Sequence, residues 1–338
     1  MLSHPLASIP SPPPETPPPP ETPPPPPVPF WPEFWILFAL GLLAAAIVIS
    51  VEHFFNPTLL TLYLDVHEYA SAHTLIVIGT ADTLITIALI VGLGLAAARP
   101  LGVGAPIIEA ALRPSNGARH FPPIRSILGP AIIVGILVGL CTLLLHSPLL
   151  RTHRAGHDQR SNDDYNQFIH SPAGEKFNQL ENRLAHEHGN RGFRVTPTRE
   201  LLLLVAGSID NNLLSRLFLF SCALWILVKL NHSPPLQPSI KLICLAVVAA
   251  YGVYLLYSRV EIHLSGLIFA PYLAGLTIHG DPTWLYILDM LLDFVLWLPV
   301  QFLLCWLYLR RGLEACILAS FIAAIISDAF WLHVLFMH

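Results

Sequence analysis

From Trp31 to the C-terminus the chain alternates long apolar runs with polar breaks, and the runs carry too few polar positions for the amphipathic helices of a soluble domain. About 20 apolar residues cross roughly 30 Å of hydrocarbon. Runs of that size predict membrane-spanning helices over Trp31–Val51, Thr74–Ala98, Ile127–Leu149, Glu200–Lys229, Ile240–Tyr257, Trp284–Tyr308 and Leu313–Phe336. A shorter piece, His263–Ile278, contains Pro271 and two glycines, which favours a broken or re-entrant segment over a full crossing. The expected architecture is an all-α, polytopic transmembrane bundle of seven or eight spans.

Two stretches do not fit the helical pattern. Residues 1–29 form a Pro-rich arm in which Pro-Glu-Thr-Pro-Pro-Pro-Pro occurs twice, expected to be a disordered, solvated polyproline II spacer. No basic region precedes the first apolar run, so that run reads as a retained anchor rather than a cleaved leader. Residues 150–198 form a polar insert between the first three spans (30–149) and the remaining core (199–338). Within it Phe177, Leu180 and Leu184 repeat on one helical face, which suits an amphipathic segment lying on the membrane or covering the bundle. His153, His157, His170, His186 and His188 also fall there without the spacing of a zinc site, and read as a solvated polar loop.

Composition agrees with the pattern: 54% of the residues are hydrophobic and 12% charged, and the mean hydropathy is +0.60. That balance makes the chain an integral membrane protein. Positive charge in short loops is retained on the cytoplasmic side. Arg99, Arg113, Arg119 and Arg125 share one loop while residues 52–72 hold no Lys or Arg, so the chain is expected to be a multi-pass protein of the cell membrane with a cytoplasmic N-terminus. Five cysteines lie in predicted helices without Cys-x-x-Cys spacing and read as small hydrophobes. A net charge of −4 with dispersed basic residues excludes nucleic acid as a partner, and phosphate-loop and dinucleotide fingerprints are absent.

The most informative polar residues inside an apolar stretch are Ser208-Ile209-Asp210-Asn211-Asn212-Leu213-Leu214-Ser215-Arg216. An arginine there must be paired, buried in the bundle or facing a wet cavity. The segment resembles the Glu-Glu-x-x-x-Arg motif of the CPBP family of intramembrane proteases, the CAAX-processing and bacteriocin-processing group. Arg216 falls on the family arginine, and Asn211 and Asn212 fall on the two glutamates. The stretch Gly312-Leu313-Glu314-Ala315-Cys316-Ile317-Leu318-Ala319-Ser320-Phe321 is similar to the family's last catalytic helix, with Ser320 in the place of a histidine and Ala324 in that of an Asn or Asp. Tyr251-Gly252-Val253-Tyr254-Leu255 is the best match to the middle Phe-x-x-x-His motif, and Leu255 stands where the histidine belongs. Residues 92–106 are similar to a loop of some bacterial members.

The resemblance implies an intramembrane metalloendopeptidase fold in which glutamate and histidines activate a water and an Asn or Asp steadies the oxyanion. Those are separate catalytic roles. Neither an amide, a leucine nor an alanine can act as the base. Arg216 is kept, but none of the base, ligand or oxyanion positions Asn211, Asn212, Leu255, Ser320 and Ala324 carries the family residue, so the expectation is a pseudoprotease without cofactor that binds a membrane protein, a peptide or lipid. The alternative is an active divergent endopeptidase, with zinc, that recruits Asp289, Asp293 or His279 as surrogates. Asp289 and Asp293 share a helix face and could bind a cation or proton, or pair with Arg216. A transporter-like ion pathway is a weaker alternative, lacking an inverted repeat. Asp82, read as mid-helix, has no role in any of these schemes.

Overall fold

The computed structural model describes residues 28–55, 72–112, 124–145, 175, 179, 197–232, 234, 238–269 and 283–336. Every element among them is helical: α1 Phe30–Phe55, α2 Ala72–Ala98, α3 Pro106–Leu112, α4 Ile124–Leu145, α5 Pro197–Asn212, α6 Ser221–Leu230, α7 Ile240–Phe269, α8 Thr283–Arg311 and α9 Leu313–Phe336. A π-helical segment, Leu213–Phe220, joins α5 to α6, so one rod runs from Thr198 to Leu230. Six stretches are long and apolar enough to cross a membrane: Phe30–Val51, Thr80–Leu101, Ile124–Leu145, Thr198–Leu230, Ile240–Tyr257 and Phe294–Arg311. The start of α9, Leu313–Ser327, adds a shorter apolar stretch. Ile85, Leu89, Ile133, Leu137, Leu144 and Val295 turn outward, as lipid-facing side chains do.

Helix α7 departs from the expected pattern. The piece read as a separate re-entrant segment from His263 is, as far as Phe269, the unbroken end of α7. Residues 258–262, Ser-Arg-Val-Glu-Ile, hold no proline or glycine, so charge lowers the hydropathy there without breaking the backbone. Residues 270–282 lie outside the described residues, as do the Pro-rich arm, the insert's histidines and the apolar face at Phe177, Leu180 and Leu184. Asp82 lies within α2, as the sequence suggested, and its side chain is exposed.

Small residues let the helices approach. Gly135 and Gly139 of α4 face α9 at the spacing of a Gly-x-x-x-Gly seam. A β-carbon at Gly135 would stand 2.8 Å from the Ala319 carbonyl oxygen, and one at Gly139 would stand 2.9 Å from Ile326 Cβ. Gly94 of α2 likewise lies against the π-helical segment, where an added β-carbon would meet the Leu217 carbonyl oxygen at 2.7 Å. The core that results is centred on Leu37, Val91, Leu95, Leu217, Phe220, Leu224 and Leu307.

One end of the bundle is clasped by polar contacts. Arg99 donates to Glu33 at 2.7 Å and lies over the Phe30 ring at 5.0 Å. Glu314 accepts from the N–H groups of Ile107 and Ile108 at 3.0 and 3.1 Å, meeting orphan donors at the start of α3. The Leu313 N–H donates to the Gly104 carbonyl at 2.9 Å. Gly312, with φ of +88°, makes the turn from α8 into α9 that this contact requires.

Candidate functional site

The polar sequence around Arg216 folds into the π-helical segment and the turn before it. Wider i to i+5 bonding, seen where the Ser221 N–H donates to the Arg216 carbonyl, inserts one extra residue into the turn. Such segments occur frequently at functional sites. Ser221 Oγ also accepts or donates to Tyr308 Oη at 3.1 Å and bonds the Arg216 carbonyl at 3.1 Å, tying the segment to α8.

Arg216 is 1% exposed. Its Nη2 donates to Gln301 Oε1 of α8 at 2.6 Å, and its Nη1 donates to Ser215 Oγ and, at 3.4 Å, to Asn211 Oδ1. Its Nε has no partner. Among the described residues no carboxylate pairs with it. The arginine is thus held by neutral dipoles, an arrangement that localises a cation within the bundle. Asp289 and Asp293 lie in the backbone of α8, but their side chains, and the whole of His279, are outside the described residues. Arg216's partner on α8 is Gln301, the sole amide of that helix, which drew no attention in the sequence.

Asn212 and Ser320 are brought together. Asn212 is fully buried and its Nδ2 donates to Ser320 Oγ at 2.9 Å and to the Ser208 carbonyl at 2.7 Å. Its Oδ1 is buried without a partner. Asn211, one residue earlier, turns to the exposed side of the rod, where its Oδ1 and carbonyl serve Ser215. Tyr251 is buried and stacks on Phe294 with ring centroids 5.4 Å apart, whereas Leu255 and Ala324 are half-buried. Ala324 contributes its carbonyl to Ser327 Oγ at 2.9 Å.

Zinc, implied by the protease resemblance, does not suit this set of groups. Asn212 and Ser320 offer neutral oxygens and Leu255 and Ala324 offer no side-chain ligand, whereas zinc prefers thiolate, imidazole and carboxylate. Among the described residues no group of three or more His, Cys, Asp or Glu could hold a metal ion. The cysteines are free thiols, with Cys305 and Cys316 buried near Arg216 and Cys316 Sγ directed at the Leu304 carbonyl.

The Glu33–Arg99 pair was likewise not singled out from sequence, because Arg99 read only as a loop charge and Glu33 drew no reading. An acid one turn inside the first apolar run was the available signal. Comparison with known proteins adds no relative: no family model, no curated protein and no solved structure matches the chain. The class rests on the fold itself, a multi-pass α-helical integral membrane protein with a buried arginine and amide cluster.

Proposed function

We propose that the chain is a non-catalytic membrane protein on a CPBP-like scaffold, which binds a membrane-embedded peptide or partner helix without cutting it. The observation that carries this reading is the 2.9 Å hydrogen bond from Asn212 to Ser320. These residues are 108 positions apart, and the resemblance places them on a catalytic glutamate and a catalytic histidine of one site. Their contact is what that correspondence requires, and their chemistry removes what the reaction requires. An amide takes no proton at neutral pH and a hydroxyl is a poor zinc ligand. Arg216 and Asn212 remain as buried polar groups of that position, with Arg216 Nε and Asn212 Oδ1 unpartnered.

The test is peptide cleavage by detergent-purified protein, with metal supplied and removed, beside an Asn211→Glu, Asn212→Glu, Leu255→His, Ser320→His, Ala324→Asn revertant. The expected result is no cleavage by the native chain and metal-dependent cleavage by the revertant. A monodisperse revertant that does not cleave removes the correspondence. Cleavage by the native chain that Asp293→Asn abolishes overturns the reading in favour of a relocated active site.

A further inference from the structure

The end of the bundle that carries Arg310 and Arg311 also carries two cavities. One, of about 570 Å³, lies between the end of α2, α6, the start of α7 and α8, with Leu224, Ile243, Phe302 and Leu309 in its apolar wall. A second, of about 470 Å³, lies between Pro130 of α4 and the end of α8. Trp306 and Arg310 line both, so this pair is the partition between them. The Arg310 guanidinium lies 5.9 Å from the Trp306 ring centroid, and Arg311 borders the second cavity.

Charge at this end is unbalanced around the cavities. Among the described residues Lys229, Lys241, Arg310 and Arg311 have no carboxylate partner. Glu33, Glu109 and Glu314 gather instead on the α3 side, where Arg99 and the α3 backbone engage Glu33 and Glu314, and none of the three lines either cavity. Lys229 lies over Trp225 at 6.0 Å, giving a second aromatic and cation pair at the same level. Tryptophan with lysine and arginine at a helix end marks the level of lipid headgroups. Apolar clefts of this size accept small-molecule chains, and basic pockets between spans accept anionic headgroups.

We propose that the cavities flanking Trp306 hold an anionic phospholipid, with its phosphate at Arg310 and Arg311 and an acyl chain against Leu224, Ile243 and Phe302. This does not rest on the protease-like reading of Asn212 and Ser320. The occupant is a lipid rather than a soluble phosphate because the wall is apolar while Arg310 and Arg311, which border the cavities, are exposed.

Native mass spectrometry of the full chain in mixed micelles tests it, with phosphatidylglycerol against phosphatidylcholine. Wild-type protein should retain phosphatidylglycerol about thirtyfold over phosphatidylcholine. Removing two surface charges in Arg310→Gln/Arg311→Gln should lower that retention about thirtyfold, while Arg125→Gln, outside both linings, should not change it. Glycerol 3-phosphate, which lacks chains, should not displace the lipid. Benzoylphenylalanine placed at Ile243 should photocross-link to phospholipid. Equal retention of the two lipids, a double variant that behaves like Arg125→Gln, displacement by glycerol 3-phosphate, or cross-links to residues 1–29 or to a second copy would each overturn the proposal.

Discussion

Alanine at Gly135 and Gly139 should loosen the bundle along the seam between α4 and α9. The added β-carbons would stand 2.8 Å from the Ala319 carbonyl oxygen and 2.9 Å from Ile322 Cβ at the first site, and 2.9 Å from Ile326 Cβ at the second. Carbon contacts are comfortable at about 3.5–4.0 Å, so the helices must part by roughly 0.5–1 Å. Overpacking of this kind costs about 1–3 kcal/mol per site, and alanine regains about 1 kcal/mol per site over glycine in helix propensity. The double variant should therefore lose about 2 kcal/mol. Gly129 of the same helix has no heavy atom within 4 Å of its added β-carbon, so Gly129→Ala should keep the propensity gain and raise stability. Thermal unfolding in detergent, followed with a thiol-reactive fluorophore, reads the exposure of Cys305 and Cys316, which are 4% and 0% exposed in the fold. A Gly135→Ala/Gly139→Ala protein that melts at or above Gly129→Ala would refute the argument that these glycines are present for close approach.

Gln301→Leu removes the acceptor of the 2.6 Å bond from Arg216 and leaves a buried cationic donor unmet, which should cost about 1–3 kcal/mol in the same assay; Gln301→Glu supplies a counter-charge and should be the more stable of the two. Gly312→Ala places a side chain at φ of +88°, with its β-carbon driven into Pro106 Cδ, so it should lower the melting point and weaken the clasp between α9 and the α3 loop, read as faster proteolysis after α8.

Much of the architecture was legible because a membrane span is a one-dimensional property. Apolar length, read against the thickness of hydrocarbon, marks α1, α2, α4, the α5–α6 rod, α7, α8 and α9 in sequence. The same simplicity misplaced a boundary: a drop in hydropathy after Tyr257 looked like a break, although residues 258–262 hold no proline or glycine and α7 continues to Phe269.

The chain alone determined that it crosses a membrane, that its N-terminal arm is polyproline-rich, and that Arg216 and its neighbouring amides stand where an apolar helix has no use for them. Those follow from composition and local spacing, which need no partner. Tertiary structure decided what Arg216 meets and that Asn211 faces outward while Asn212 faces inward. It also decided that Asn212 reaches Ser320 across 108 residues, and that Glu33 closes on Arg99. The π-helical turn rotates the rod by one residue, and Gly94, Gly135 and Gly139 set how closely helices approach. A hydrogen bond is made only when both effects bring donor and acceptor within about 3 Å, and neither rotation nor distance between helices is carried by local periodicity.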